Sequence, residues 1–345
     1  MFKIRVFYTM LAGLLLITAL PTIAEEDDNL ESLGVSPDVI ADYPEPDVTP
    51  LFLDEGILYD RIYRRGSGVT SIHDAPGGNV VQTLDAGYNY VTLNAQPEGD
   101  WAQINGSQWM PTANLTNEVT ISRFVGVQLP EEGLPYTMAW TLRHVRASET
   151  PGADASEDNP FMYRYTRVNI YATVEIDGFN WYQVGENQWV HQFDVAKILP
   201  IDAPEEVNTE KWISIDLYEQ VLIAYEGEIP VFGTLISSGL PQWSTNEGTF
   251  NVYLRRQRTV MSGAYGQPDF YYLEDVPWTM FFDGDIGLHG TYWHDGFGYR
   301  QSHGCVNMSI IDSHWLYHWS NDVRDLEVED SPDLAVHVYS SGEYE

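Results

Sequence analysis

The chain has 345 residues and carries 51 Asp and Glu against 17 Lys and Arg, which gives a formal net charge of -34. Such a charge repels phosphate groups. The composition therefore excludes a broad basic surface that would bind nucleic acid or anionic lipid. Hydrophobic residues make up 43% of the chain, which excludes a disordered acidic polymer. The length predicts two or three domains, each with its own core.

The first 24 residues predict an export signal. Lys3 and Arg5 form a short basic region, residues 6–20 are almost wholly apolar, and the stretch ends in small residues at Ala24. This order is typical of a secretory signal peptide, so residues 1–24 are assigned to one and the protein is expected to be secreted. An uncleaved anchor is the alternative, because residues 6–23 could just span a bilayer. Membrane contact is expected only through this segment.

Residues 25–55 are predicted to form an acidic flexible linker. Between residues 25 and 50 there are nine acids, four prolines and no Lys or Arg. Such a stretch buries too little apolar surface to fold. From Tyr59 onward, short apolar or aromatic runs alternate with turn residues, which predicts strands and hairpins rather than helices.

A repeated pattern lies inside this β-rich region. Trp101–Met110 and Trp181–Val190 share Trp, Gln, a β-branched residue and Gln-Trp at the same spacing. Each copy predicts a β-hairpin with Trp on both arms. The pattern resembles the closing hairpin of bacterial SH3-like domains, which implies small barrels at residues 56–120 and 121–205. The tryptophans would either line a wall-binding groove or form barrel core and rim.

The last part of the chain predicts a meander followed by one helix. Three runs between Trp212 and Ile236 alternate apolar and polar residues or return after short turns, which predicts three strands. Ser309 and Asp312 have capping-box spacing, and a helix of about ten residues is expected after Ser309. The predicted fold is therefore mainly β.

The single cysteine, Cys305, lies among histidines. Six of the nine histidines fall between residues 289 and 337, and His289 and His303 bracket the thiol in sequence. One cysteine cannot form an internal disulfide, so Cys305 is either a small buried hydrophobe or a working group. An imidazole within reach can take the proton of a thiol and thereby create the thiolate nucleophile.

Two further features would support a nucleophile at this position. Gly304 permits a sharp turn, so the amides of Gly304 and Cys305 are expected to converge as an oxyanion hole. The positive end of the helix after Ser309 is expected to lower the pKa of Cys305.

The motif around the thiol resembles that of a known family. His289-Gly290, followed after a gap by the run from Ser302 to Asn307 (Ser-His-Gly-Cys-Val-Asn), is similar to the signature of L,D-transpeptidases with a YkuD-type catalytic domain. The resemblance covers residues 211–340 and implies a β-sandwich-like catalytic domain at residues 206–341, with a short helix after the nucleophile. Many members have a proline after the threonine that corresponds to Thr245, whereas this chain has Asn246, so the geometry of that loop stays open.

The resemblance implies a defined reaction on peptidoglycan stem peptides, which serve as donor and acceptor. Cys305 would attack the L-centre carbonyl of the third stem residue, release a D-residue and form a thioester that an acceptor amine resolves. His289 would be the general base, and Ser302, His303 and Gly304 would shape the site. Further residues are expected on the substrate side, with core packing as the alternative for the last four: Gly290, Asn307, Tyr272, Trp278, Met280 and Phe282.

Three other interpretations of the sequence compete with this one. His314 and His318 have a zinc-ligand spacing, but no His-Glu-x-x-His or Cys-x-x-Cys pattern accompanies them, so no metal and no cofactor are expected. The thioester could be hydrolysed by water, which would make the protein an L,D-carboxypeptidase. The chain could also be a non-catalytic peptidoglycan-binding protein. A monomer is expected, located in the cell wall or otherwise outside the cytoplasm.

Overall fold

The computed structural model describes residues 34–97, 99–321 and 334–343, together with the backbone of Val6–Phe7. The predicted signal peptide, residues 1–24, lies outside the described residues apart from that pair. The chain divides into two compact units: residues 1–49 with 128–201, and residues 50–127 with 202–345. No helix among the described residues is long and apolar enough to cross a membrane.

The chain up to residue 128 contains two short helices and several short strands. Asp54 caps the second helix: its carboxylate accepts a hydrogen bond from the amide of Gly56 at 2.8 Å. In chain order the elements are β1 (Val6–Phe7), α1 (Pro37–Asp42), β2 (Thr49–Pro50), α2 (Glu55–Leu58), β3 (Ile62–Gly66), β4 (Thr70–His73), β5 (Val80–Leu84), β6 (Tyr88–Leu93), β7 (Trp101–Ile104), β8 (Gln108–Pro111), β9 (Leu115–Thr116) and β10 (Val127–Gln128).

Part of the segment predicted as a flexible linker is ordered. Helix α1 lies inside it, and the amide of Val35 donates to Oε1 of Gln183 at 2.7 Å. The carbonyl of Tyr43 accepts hydrogen bonds from the side chains of Asn169 and Tyr171. Composition shows that this segment can bury little apolar surface by itself. It does not show the hydrogen bonds that the backbone of the segment forms with a neighbouring sheet.

Residues 137–197 form most of the strands described in the first compact unit. Their buried side chains, which include Ile170, Tyr182 and Val190, make a core of their own. The strands are β11 (Thr137–Thr141), β12 (Val145–Arg146), β13 (Phe161–Met162), β14 (Arg167–Ile170), β15 (Ala172–Ile176), β16 (Phe179–Gly185), β17 (Gln188–His191) and β18 (Val195–Lys197).

Both predicted tryptophan hairpins are confirmed. Strands β7 and β8 pair antiparallel with Gln103 opposite Trp109, and β16 and β17 pair with Gln183 opposite Trp189. Trp189 is buried, whereas Trp101, Trp109 and Trp181 are partly buried, a distribution typical of core and rim positions. That the two regions are SH3-like barrels stays a prediction.

The chain after residue 202 contains the predicted meander and helix, and both are confirmed. Strands β19, β20 and β21 are consecutive antiparallel neighbours, and Oγ of Ser309 accepts the amide of Asp312 at 3.1 Å, which caps α3. The elements are β19 (Lys211–Asp216), β20 (Val221–Glu226), β21 (Ile229–Leu235), β22 (Gly248–Asn251), β23 (Leu254–Gly263), β24 (Tyr271–Asp283), β25 (Ile286–Gly290), β26 (Val306–Met308), α3 (Ile310–Trp319) and β27 (Ala335–Tyr339).

The second compact unit contains a sheet that passes from residues 50–127 into the last part of the chain. Strand β6 pairs in parallel with β24, with Tyr88 opposite Tyr271 and Tyr90 opposite Leu273. Within the described residues the sheet runs in the order β26, β25, β24, β6, β7, β8, β4 and β5. The predicted domains 56–120 and 206–341 therefore share a sheet and a compact unit.

Candidate active site

Two adjacent parallel strands bring the candidate base and nucleophile to one place. Strand β25 pairs with β26 so that His289 lies opposite Asn307, two residues after Cys305. Leu288, Val306 and Met308 on these strands are fully buried in one hydrophobic core. This packing fixes the two strands, so the segment with the thiol is held beside the strand that carries the imidazole.

The turn before the thiol is closed by the hydroxyl of Ser302. Its Oγ accepts the amide of Gly304 at 3.1 Å and donates to the carbonyl of Cys305 at 2.5 Å. Gly304 has φ +115°, a conformation that favours glycine, and its carbonyl accepts the hydroxyl of Thr245 at 2.8 Å. The amide of Gly304, which is predicted to donate to the oxyanion, is bound to Ser302 in this conformation, so its role as an oxyanion donor stays a prediction.

The thiol of Cys305 is neutral in the resting site. Its Sγ lies 3.7 Å from the carbonyl of Asp285, to which it donates, and the side chain is partly exposed. Desolvation raises the pKa of Cys305 to about 11, while the amide of Gly287 lowers it and the charge of Asp285 raises it further. Desolvation dominates, so the net shift is upward; a lowering contribution from the start of α3 stays a prediction.

His289 is a neutral imidazole with a defined tautomer. It is 2% exposed, and its Nδ1 lies 3.1 Å from the carbonyl of Gly290. Because a carbonyl can only accept, Nδ1 carries the proton and Nε2 keeps a free lone pair. Burial lowers the pKa of His289 to about 4, with the Gly290 hydrogen bond opposing the shift. His289 can therefore accept a proton at neutral pH.

His303 lies on an aromatic rim beside the thiol. Its Nε2 is 3.4 Å from Oδ2 of Asp269, and its ring is 5.3 Å from that of Trp243 and 5.2 Å from that of Tyr271. These contacts hold the ring of His303 in the rim, away from the buried position of His289.

Tyr271 is a candidate site residue that the sequence did not indicate. Its ring lies 5.2 Å from that of His303, and desolvation raises its pKa to about 12, with the charge of Cys305 as the next largest cause. The predicted neighbour, Tyr272, is buried and donates to Oε1 of Glu274. Successive side chains of a strand face opposite sides, so Tyr271 faces His303, whereas the predicted Tyr272 faces the other way.

Asn307 and Gly290 occupy structural positions in the site. The amide and carbonyl of Asn307 each bond Ser237 at 2.9 Å, and its Nδ2 lies 2.9 Å from Nε2 of His294. Asn307 therefore fastens the loop that begins at His294. At Gly290, an added Cβ would lie 2.5 Å from Oγ of Ser313, so the glycine lets β25 approach α3 closely.

The residues proposed for the substrate wall lie mainly in cores. Met280 and Phe282 are buried in the cluster that contains Leu288, and Tyr272 is buried in the core of residues 50–127. Trp278 is partly buried, with its ring 4.6 Å from that of His314. Their placement corresponds to the core-packing alternative.

The helix histidines are packed against an aromatic ring. His314 and His318 have ring centroids 4.5 Å apart, and both contact Trp278. In the part of the chain that the structure describes, no group of three or more His, Cys, Asp or Glu residues is arranged to hold a metal ion.

Comparisons with known proteins agree on the last part of the chain. Residues 210–329 match the family model of the YkuD L,D-transpeptidase catalytic domain. A curated relative, "Putative L,D-transpeptidase YciB" of Bacillus subtilis (strain 168), is 29% identical over 119 residues, which cover 31% of this chain and 59% of that protein. The chain thus matches somewhat more than half of that relative's length.

Similar solved structures carry the same description. The catalytic domain of the E. faecium L,D-transpeptidase is 24% identical with a TM-score of 0.31, covering 39% of this chain and 100% of that one. The L,D-transpeptidase of Xylanimonas cellulosilytica DSM 15894 is 25% identical with a TM-score of 0.31, covering 40% of this chain and 65% of that one. The family-model match and the curated relative confirm the resemblance seen in the sequence motif: residues 210–329 match the L,D-transpeptidase catalytic domain of the YkuD family.

Proposed function

We propose that this protein is an exported peptidoglycan L,D-transpeptidase whose nucleophile is Cys305. The observation that carries the proposal is that the strand of the neutral imidazole of His289 pairs with the strand that begins directly after the neutral thiol of Cys305, inside the matched domain. A neutral thiol needs a base to become a nucleophile, and Nε2 of His289 is unprotonated.

In the first half-reaction, Nε2 of His289 takes the proton from Sγ of Cys305 as the sulfur attacks the L-centre carbonyl of the donor stem. The C–N bond to the D-residue then breaks, and the imidazolium returns its proton to the leaving amine. A thioester on Cys305 remains. The thiol donates to Asp285 in the resting conformation, so the proton transfer requires Sγ to turn toward His289.

In the second half-reaction, the amine of an acceptor stem attacks the thioester carbonyl. His289 takes a proton from this amine and returns it to the departing sulfur, which restores the neutral pair. Tyr271, whose ring contacts that of His303 and whose raised pKa keeps its hydroxyl protonated, is suited to donate to the oxyanion that forms in both steps. Ser302 holds the turn that presents Cys305.

The experiment is product analysis with the purified protein and a disaccharide tetrapeptide donor. We expect cross-linked dimers by mass spectrometry, and at least about a 10³-fold loss of product in Cys305→Ala, because the variant has no covalent nucleophile. Ser262→Ala, which removes an exposed hydroxyl on β23, is the control and should keep wild-type turnover.

Other products would assign a different function. Tripeptide without dimer would make the protein an L,D-carboxypeptidase, and binding of peptidoglycan without any product would make it a binding protein. Equal turnover in wild type and Cys305→Ala would refute the nucleophile.

A further inference from the structure

Tyr88 connects residues 50–127 to both segments that carry the chemistry. It lies at the start of β6, outside the matched domain, and within the same compact unit as the active site. Its backbone contacts the strand of Tyr271, and its side chain contacts the segment that follows His289.

The backbone contact holds the start of β24. The amide of Tyr88 donates to the carbonyl of Phe270 at 2.8 Å, and Tyr88 lies opposite Tyr271 in the parallel ladder. The preceding residue is Gly87, where an added Cβ would lie 2.2 Å from the carbonyl oxygen of Phe270. Only glycine permits so close an approach, and the junction therefore fixes the backbone position of Tyr271.

The side-chain contact holds the segment after His289. The hydroxyl of Tyr88 donates to the carbonyl of Trp293 at 3.0 Å, and the ring of Trp293 lies 5.7 Å from the ring of His289. Trp293 is 8% exposed. A shift of its backbone would therefore move a ring that packs beside the imidazole.

A second contact from the same region supports this segment. Tyr292 is fully buried and stacks on Tyr63 of β3, with ring centroids 3.5 Å apart, and its hydroxyl donates to the carbonyl of Glu274. Tyr63 also contacts β24, since its hydroxyl donates to the carbonyl of Asp275 at 3.3 Å, four residues beyond Tyr271. Tyr88 contacts residues nearer the site: Phe270 and Tyr271 through its backbone, and Trp293 through its hydroxyl.

We propose that Tyr88 is a positioning residue for the transpeptidation site, and that residues 50–127 therefore form part of the catalytic apparatus. The hydroxyl of Tyr88 acts through Trp293 on the imidazole of His289, and its backbone sets the position of Tyr271. This inference rests on the proposed function, since it assigns His289 the role of base.

The test is Tyr88→Phe, which keeps the ring and the backbone and removes the hydrogen bond to Trp293. We expect kcat to fall about tenfold with the KM of the donor unchanged, because the loss of one hydrogen bond displaces the base and not the substrate. Tyr163→Phe, in which the altered residue is exposed and lies in the other compact unit, is the matched control and should keep the wild-type kcat.

A second measurement separates positioning from a loss of folded protein. Iodoacetamide reacts with Cys305 as the thiolate, so the alkylation rate at pH 7 depends on His289 as base. We expect this rate to be about tenfold lower in Tyr88→Phe and to approach the wild-type rate as the pH rises towards 10, where hydroxide replaces the imidazole. A deficit in the folded fraction would instead be the same at every pH.

The outcomes distinguish the two proposals. Wild-type kcat and alkylation in Tyr88→Phe, or an equal loss of alkylation at all pH values with a lower thermal midpoint, would overturn the positioning role. Wild-type protein that makes no cross-link and no tripeptide, while alkylation still shows the pH-dependent difference, would refute the transpeptidase and leave the positioning of His289 standing.

Discussion

The two tryptophan hairpins share one sequence pattern and have different surroundings. The first, Trp101–Met110, lies in the compact unit of the active site, where its neighbour β6 joins β24 of the catalytic domain. The second, Trp181–Val190, lies in the other compact unit. The repeated motif therefore specifies a hairpin. Whether that hairpin supports the active site depends on the strand next to it, which in the first hairpin is β6 and pairs with β24.

The cores show the same contrast. Phe270 directly precedes β24, and Tyr272 lies near its start. They are buried in one cluster with Ile104 and other residues of the first hairpin region. The cluster around Ile170 in the second region contains residues of that region alone, among the side chains described. A cavity in the core of the first hairpin should therefore disturb the active site, and a cavity in the core of the second should not.

The largest expected effect comes from a matched pair of cavities, Ile104→Ala and Ile170→Ala. Both side chains are buried, at 0% and 4% exposure. Each change should lower the free energy of unfolding of its own unit by about 2–5 kcal/mol, through lost burial and the cavity left behind. Calorimetry should show the transition of one unit shifted in each variant.

Activity separates the two variants. At temperatures just below the lowered transition, Ile104→Ala should lose cross-linking activity, whereas Ile170→Ala should keep it. Equal losses of activity in both would contradict the separation of the two cores, and an unaffected Ile104→Ala with a shifted transition would show that its cavity does not reach β24.

A second prediction concerns the carboxyl group at the junction. Glu274 on β24 is 2% exposed, and its Oε2 accepts the amide of Thr92 of β6 at 2.9 Å. Burial raises the pKa of Glu274 to about 7 from 4.5, and the hydrogen bonds from Thr92 and Tyr272 oppose the shift. Because the folded-state pKa is above the unfolded one, stability is lost as the pH rises from about 4.5 to 7.

Glu274→Gln should remove this pH dependence. The free energy of unfolding of the variant minus that of wild type should be about 3 kcal/mol larger at pH 8 than at pH 4. Urea unfolding of the unit that contains the active site measures this difference. The transition of the other unit should be unchanged and serves as the internal control. A constant difference between the two proteins across this pH range would mean that Glu274 is not the titrating group.

Local signals in the sequence predicted the local elements correctly. The alternation in Trp212–Ile236, the cap at Ser309 and the spacing of the two hairpins each concern residues that are close in the chain. The motif from His289 to Asn307 likewise identified the catalytic family.

Features that depend on distant residues were not predictable. The pairing of β6 with β24 joins positions about 180 residues apart in the chain. It depends on how the edges of two distant strands fit together, which no local pattern in the sequence indicates. The raised pKa of Cys305 follows from desolvation, which opposes the shift expected from a nearby helix start. The choice of Tyr271 over Tyr272 depends on which face of β24 meets the thiol.

The smallest expected effect compares the glutamines at the same position of the two hairpins. Gln183 is buried, with Oε1 accepting the amide of Val35 at 2.7 Å, whereas Nε2 of Gln103 donates to the carbonyl of Gly106 at a turn exposed to solvent, 3.3 Å away. Gln183→Ala should cost its unit about 1–2 kcal/mol, because the partly buried amide of Val35 is left without its partner. Gln103→Ala should cost a few tenths, about what a solvent-exposed hydrogen bond contributes. Urea unfolding checks both values, and limited proteolysis near α1 should increase in Gln183→Ala alone. Equal costs would show that the buried glutamine holds nothing in place, and the ordering of residues 34–43 would then rest on the hydrogen bonds to Tyr43.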